Sequence, residues 1–351
     1  MVLLDEISAR IQPLDEGAMQ AARTRHDQLT KPPGSLGRLE ELSIRLAGIT
    51  GVPCPVLRRK TVIVMAGDHG VTAEAVSAYP SAVTAQMVMN FLRGGAAINV
   101  LARQAGARVL VVDAGVASEL GSHPGLLQRK VARGTANIAH GPAMSRAAAL
   151  QAISAGIEAV TLEIERGVDL LAVGEMGIGN TTPSAAIAAA LTGVSIDTLV
   201  GRGTGIDDVT LAHKIDIVTQ ALEVNQPDQR DPLDVLAKLG GFEIAALVGA
   251  ILAAAAGRLP AMLDGYITGA AALVAVGIAP QVQPYLLASH RSHEQGHQAI
   301  LKALGLQPLL ELEMRLGEGT GAVLTMYLVE AAVRLLGEMA TFTEAGVSDR
   351  G

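Results

Sequence analysis

Five short apolar runs, each ending in glycine or polar residues and each followed by a helical stretch, constrain this chain more than any other feature. They are TVIVMAGDHG (61–70), RVLVVDAG (108–115), VDLLAVGEMGIGN (168–180), LPAMLDG (259–265) and PYLLASH (284–290). Strands alternating with helices of this length read as βαβ units. They predict an α/β fold, a mostly parallel sheet with helices on both faces. Right-handed crossovers would set the loops after the strands along one edge, where open sheets bind ligands. Every run carries its glycines and polar residues at that end.

Composition removes other classes. Half of the 351 residues are hydrophobic and 17% are charged, which fits a globular chain and not a disordered one. A net charge of −7, three Phe, four Tyr and no Trp argue against a nucleic-acid surface, which uses basic stripes and stacking rings. The single Cys54 cannot form an internal disulfide framework or a Cys-rich zinc site. The most apolar stretch, 242–279, is cut by Arg258, Pro260 and Asp264 into pieces shorter than the roughly 20 residues of a membrane helix. The acidic start with its short apolar run does not read as a signal peptide. These features predict a cytoplasmic protein acting on small molecules, with no nucleic acid and no membrane. The segment 321–340 reads as a long helix that packs on the N-terminal helices or on a partner subunit. The division expected is a large α/β domain over 31–322 and a small helical domain from 1–30 and 323–351.

Three loops carry chemistry. In GEMGIGNTTPSAA (174–186) a strand runs into Gly177, Gly179 and Asn180, and a helix starts near Thr181 and Thr182. Free amides and hydroxyls at a helix start suit a phosphate, although an ordinary capped helix has the same residues. It is neither a Walker loop nor GxGxxG. GRGTGIDD (201–208) repeats the glycines, followed by Asp207 and Asp208, acids that suit a helix dipole, and then by Lys214. LGEGTGAV (316–323) encloses the lone carboxylate of Glu318 in glycines. Asp68 and His69 follow the first strand as a structural or a catalytic pair. The match of HEQGH (293–297) to HExxH raises a zinc peptidase as an alternative. Its context argues against zinc, since Gly296 weakens the turn and no third ligand follows at familiar spacing.

KPPGSLGRLE, AGDHGV, SAYP, VTAQMV, NFLRGGAAINVLAR, GEMGIGNTTPSAA, GRGTG, DGYITGAAAL, SHRSHEQGH and RLGEGTGAV occur in this order. Together, over residues of about 20 to 340, they resemble the nicotinate-nucleotide:dimethylbenzimidazole phosphoribosyltransferase family of cobalamin lower-loop assembly. The resemblance implies a Rossmann-like sheet with a small helical domain in a homodimer. It also implies transfer of phosphoribose from nicotinate mononucleotide to 5,6-dimethylbenzimidazole, with no cofactor and no metal. It puts the general base on Glu318 and a second site carboxylate on Glu175. Phosphate and ribose contacts fall on Gly177, Asn180, Thr181, Thr182, Gly203, Lys214 and Ser292. The benzimidazole slot falls around Tyr79, Pro80, Gln86 and Leu316. A non-catalytic nucleotide-binding protein with the same loops is the remaining alternative.

Overall fold

The computed structural model describes residues 4–348. Six strands form one sheet: β1 Lys60–Gly67, β2 Ala107–Gly115, β3 Leu126–Gln128, β4 Leu170–Met176, β5 Ala261–Leu263 and β6 Leu286–Ala288. Their order is β3-β2-β1-β4-β5-β6, and every adjacent pair is parallel. This is the Rossmann-like α/β sheet expected. The chain order reverses between β1 and β4, and loops leaving there diverge to opposite faces and open a crevice. Five strands fall in the five apolar runs. The sixth, β3, carries no such signal, because its three residues, Leu126, Leu127 and Gln128, lie at the sheet edge without a β-branched run.

Alternation along the strands builds two cores. Ile63, Met65, Leu171 and Val173 point to one face, and Val62, Val64, Leu170 and Ala172 to the other. The first face is covered by helices that include Arg146–Glu165, Thr181–Thr192, Phe242–Ala256 and Tyr266–Ile278. The apolar stretch 242–279 thereby supplies two core helices flanking β5. The second face is covered by Arg38–Thr50, Ala82–Arg93, Ala97–Ala105 and Thr320–Glu338. The last of these lays Ala322, Met326 and Val333 against the strands. Its far end places Leu336 with Ala18, Ala22 and Ala47 of the N-terminal helices. Two helices, Arg146–Glu165 and Thr320–Glu338, have the length and composition to cross a membrane, yet 50% and 56% of those windows are buried inside the protein.

Candidate active site

A cavity of about 570 Å³ opens at the carboxyl edge of the sheet. Its wall takes Glu175 to Thr181 from the end of β4, Asp264 to Thr268 from beyond β5, and His290, Ser292 and Glu294 from beyond β6. The segment Arg315 to Glu318 and residues Val76, Ser77, Tyr79, Val83 and Met87 close it.

One end is acidic. Glu318 adopts the left-handed conformation, φ 65°, just before the helix Thr320–Glu338. Its amide donates to the Glu175 carbonyl at 3.2 Å, which ties the loop to the end of β4. Its Oε2 accepts from the Ile98 amide at 3.2 Å, in the first turn of Ala97–Ala105. Burial raises the Glu318 carboxyl above its usual range, the Ile98 bond opposes this, and the nearby Asp264 charge adds to it. The Glu175 side chain accepts from the Asn180 amide group. Burial pushes its carboxyl up to about 8 against that bond, helped by the charges of Glu243, Asp264 and Glu318. Asp264, the first residue of DGYITGAAAL, also lines the site, although the sequence assigned it no role. Its Oδ1 accepts from the amides of Gly321 (2.7 Å) and Ala322 (3.1 Å) and its Oδ2 from that of Gly319 (3.0 Å). It therefore caps the helix after Glu318 and anchors the loop that carries it. Burial pushes Asp264 up to about 7 against those three amides.

The other end gathers a helix start and a buried lysine. The helix Thr181–Thr192 has Asn180 at its N-cap, but the Asn180 side chain caps no amide of the helix because it is turned to Glu175. Behind Thr181 lies Lys214, only 1% exposed. Its ammonium donates to Thr181 Oγ1 at 2.7 Å and to the Gly201 carbonyl at 3.2 Å. Burial lowers Lys214 to about 8, and the Glu294 charge acts the other way. Arg315 donates to the Gly203 carbonyl at 3.0 Å, and the Ala78 amide donates to Thr204 Oγ1 at 3.0 Å. The glycine loop 201–205 is thus pinned to both sides of the cavity mouth.

Of the residues expected in the site, Glu318, Glu175, Gly177, Asn180, Thr181, Gly203, Ser292, Tyr79 and Leu316 share this one wall. Lys214 reaches it through Thr181. Thr182 is fully buried and its hydroxyl has no partner among the described residues. Pro80 and Gln86 are exposed and do not line the cavity. Helical phase explains this: Thr84, Val88 and Phe91 of Ala82–Arg93 are buried in the core. That turns Val83 and Met87, four residues apart, to the cavity and Gln86 away from it.

Other motifs resolve differently. Asp68 and His69 are not paired with each other. Asp68 accepts from the Ala117 amide at 2.8 Å, and His69 Nε2 bonds Glu243 Oε1 at 2.7 Å. Asp207 caps the helix Asp208–Asn225 through the Thr210 amide. HEQGH does not lie on one helix, because the helix begins only at His297. His293 is exposed, while His297 is buried with Nδ1 accepting from the Ser292 amide at 2.9 Å. The shared face that HExxH requires is not formed. Among the described residues no group of three His, Cys, Asp or Glu side chains is placed to hold a metal.

A family model described as phosphoribosyltransferase matches residues 11–347. Over 350 residues the chain is 60% identical to the nicotinate-nucleotide–dimethylbenzimidazole phosphoribosyltransferase of Roseiflexus sp. (strain RS-1), covering 100% of this chain and 99% of that one. The protein of the same name from Chloroflexus aggregans is 59% identical, with the same coverage. The crystal structure of the Thermus thermophilus enzyme of that name superposes with a TM-score of 0.91 at 51% identity, over 96% of this chain and 100% of that one. Identity at this level runs the full length of the chain, and the cavity lies at the sheet edge where the motifs converge. The chain belongs to the nicotinate-nucleotide–dimethylbenzimidazole phosphoribosyltransferase family and is an enzyme of the glycosyltransferase type.

Proposed function

We propose that the chain transfers phosphoribose from nicotinate mononucleotide to 5,6-dimethylbenzimidazole, giving α-ribazole 5′-phosphate and nicotinate by direct inverting displacement. The observation that carries this is the polarity of the cavity. A lysine-backed helix start and glycine loop lie at one end, and a buried carboxylate beside apolar side chains lies at the other.

The phosphate sits on the Gly177, Asn180, Thr181 and Gly203 backbone region with Lys214 and Ser292. The acceptor lies against Val83, Met87, Tyr79 and Leu316. One benzimidazole nitrogen uses its lone pair to form the new bond to the anomeric carbon. The bond to the pyridinium nitrogen breaks on the opposite face and its electrons return to that ring. Because the leaving ring is already cationic, it needs no general acid. The second benzimidazole nitrogen must shed its proton, and Glu318 takes it. The Ile98 amide occupies Oε2 of Glu318, which leaves Oε1 for this proton. Glu175, with its carboxyl near 8, is neutral at pH 7. That spares a negatively charged nucleotide one charge of repulsion.

Incubation with nicotinate mononucleotide and a panel of benzimidazoles, purines and phenols, followed by product mass and anomer analysis, tests the reading. Nicotinate release with an α-riboside is expected. Binding without release would favour a nucleotide-binding protein, and a β-riboside would exclude direct displacement. The same proposal includes a cytoplasmic homodimer, and sedimentation of the purified chain tests the dimer.

A further inference from the structure

Thr84 touches no substrate in the reaction above, yet it joins the two parts of the cavity that hold them. It lies fully buried in the first turn of the helix Ala82–Arg93. In sequence it stands between Val83 and Met87, which line the acceptor wall. Its Oγ1 accepts a hydrogen bond from the Ile178 amide at 3.1 Å. Ile178 is itself buried, between Gly177 and Gly179 in the loop after β4, where the nucleotide is placed. Among the described residues this is the only hydrogen bond between that helix and residues 176–181. The rest of the helix is anchored through Val88 and Phe91 in the core. Apolar packing of that kind is non-directional, whereas a hydrogen bond fixes both distance and angle.

What the two walls carry gives this bond its use. Glu318 orients one edge of the acceptor ring, but Val83 and Met87 offer only apolar contact along it. The depth at which the ring sits therefore follows the position of the helix, while the nucleotide follows the loop. Displacement needs the attacking nitrogen about 3–3.5 Å from the anomeric carbon and in line with the breaking bond. We propose that Thr84 is a positioning residue for the transfer. Its hydroxyl holds the acceptor wall in register with the nucleotide loop and so sets the distance between the reacting atoms. Without that hydroxyl the buried Ile178 amide has no acceptor, and wall and loop shift until water or another group reaches it. Neither substrate loses a contact of its own, so the loss falls on the chemical step and not on binding.

This inference rests on the reaction proposed above, and the two fail differently. An unmodified enzyme that releases no nicotinate would refute the reaction itself, before any variant is made. The test of Thr84 measures single-turnover rates with nicotinate mononucleotide and 5,6-dimethylbenzimidazole, and the Kd of each substrate by calorimetry. Two pairs isolate the hydroxyl: the unmodified enzyme against the isosteric Thr84→Val, and Thr84→Ser against Thr84→Ala. The valine and alanine variants are expected to lose about 10- to 100-fold in the single-turnover rate, the cost of a displacement of up to about 1 Å. Both Kd values should stay close to those of the unmodified enzyme, and Thr84→Ser should keep most of the rate. The serine and alanine pair decides the matter if the valine variant does not fold. Full rates in the valine and alanine variants would overturn the proposal. So would equal losses in serine and alanine, or a loss confined to the Kd of one substrate. Failure of all three variants to fold would overturn it too, by making Thr84 a structural residue alone.

Discussion

Replacing Gly174 with alanine should separate the placement of Glu318 from the integrity of the fold. Gly174 lies in β4, paired with Val64 of β1. In most strands glycine to alanine is neutral or helpful, because alanine restricts the unfolded chain. Here a Cβ would sit 2.5 Å from the Glu318 carbonyl carbon and 2.6 Å from Gly319 Cα, with the Gly319 amide nearer still. All three are backbone atoms of the loop that carries Glu318, so no side chain can swing aside. Ordinary contact begins at 3.4 Å, so the loop has to retreat by roughly 1 Å. Overpacking of this kind costs about 1–3 kcal/mol of stability. Displacing a reacting group by about 1 Å costs on the order of 100-fold in rate. Thermal unfolding and nicotinate release measured on the same preparation should show a modest loss of stability with a large loss of kcat. A variant that turns over near the unmodified rate would show that the loop position does not govern catalysis.

Three further outcomes follow from the same geometry. Lys214→Met removes the ammonium bonded to Thr181 and Gly201; the KM for the nucleotide should rise by about 10- to 100-fold, and an unchanged KM would remove Lys214 from the phosphate site. In the unmodified enzyme the same KM should climb as pH passes about 8, where buried Lys214 loses its charge, and it should stay flat in Lys214→Met. Glu175 has a folded-state carboxyl raised to about 8, so the folded state holds a proton that the unfolded chain gives up near the usual carboxylate value. Its contribution to stability is present below that usual value and is lost as pH rises towards 8. Glu175→Gln should therefore gain stability relative to the unmodified protein between about pH 5 and about 8 in denaturant titrations, and a pH-independent difference would refute the buried-acid assignment.

The fold was legible wherever strands are long and end in glycine. β1, β2 and β4 announce themselves by β-branched and apolar runs, and even the three-residue β5 and β6 are flanked by loop signals. β3 gives no such signal, because an edge strand of three residues needs little hydrophobic patterning. Glu318, Glu175 and the glycines around Asn180 and Gly203 line one cavity, and it was the family resemblance that singled them out, because taken alone a carboxylate or a helix start among glycines also suits an ordinary turn or capped helix. The role of Asp264 was hidden: its partners are the amides of Gly319, Gly321 and Ala322, some 55 residues away along the chain. The structure turns Met87, and not Gln86, to the cavity, because helical phase is set by which side meets the sheet. HEQGH misleads for a related reason, since residue spacing fixes a shared face only where the residues are helical.

In the proposed reaction one proton must leave the acceptor base, and the pH profile of Glu318→Gln tests most directly whether Glu318 takes it. In the unmodified enzyme kcat/KM should fall as pH drops through a value above the ordinary carboxylate range, because burial raises the Glu318 carboxyl and only its ionised form accepts a proton. Glu318→Gln should keep the fold, lose about 10²- to 10⁴-fold in turnover, and show no such acidic limb. Near-normal turnover in that variant, or an acidic limb that persists in it unchanged, would contradict Glu318 as the base.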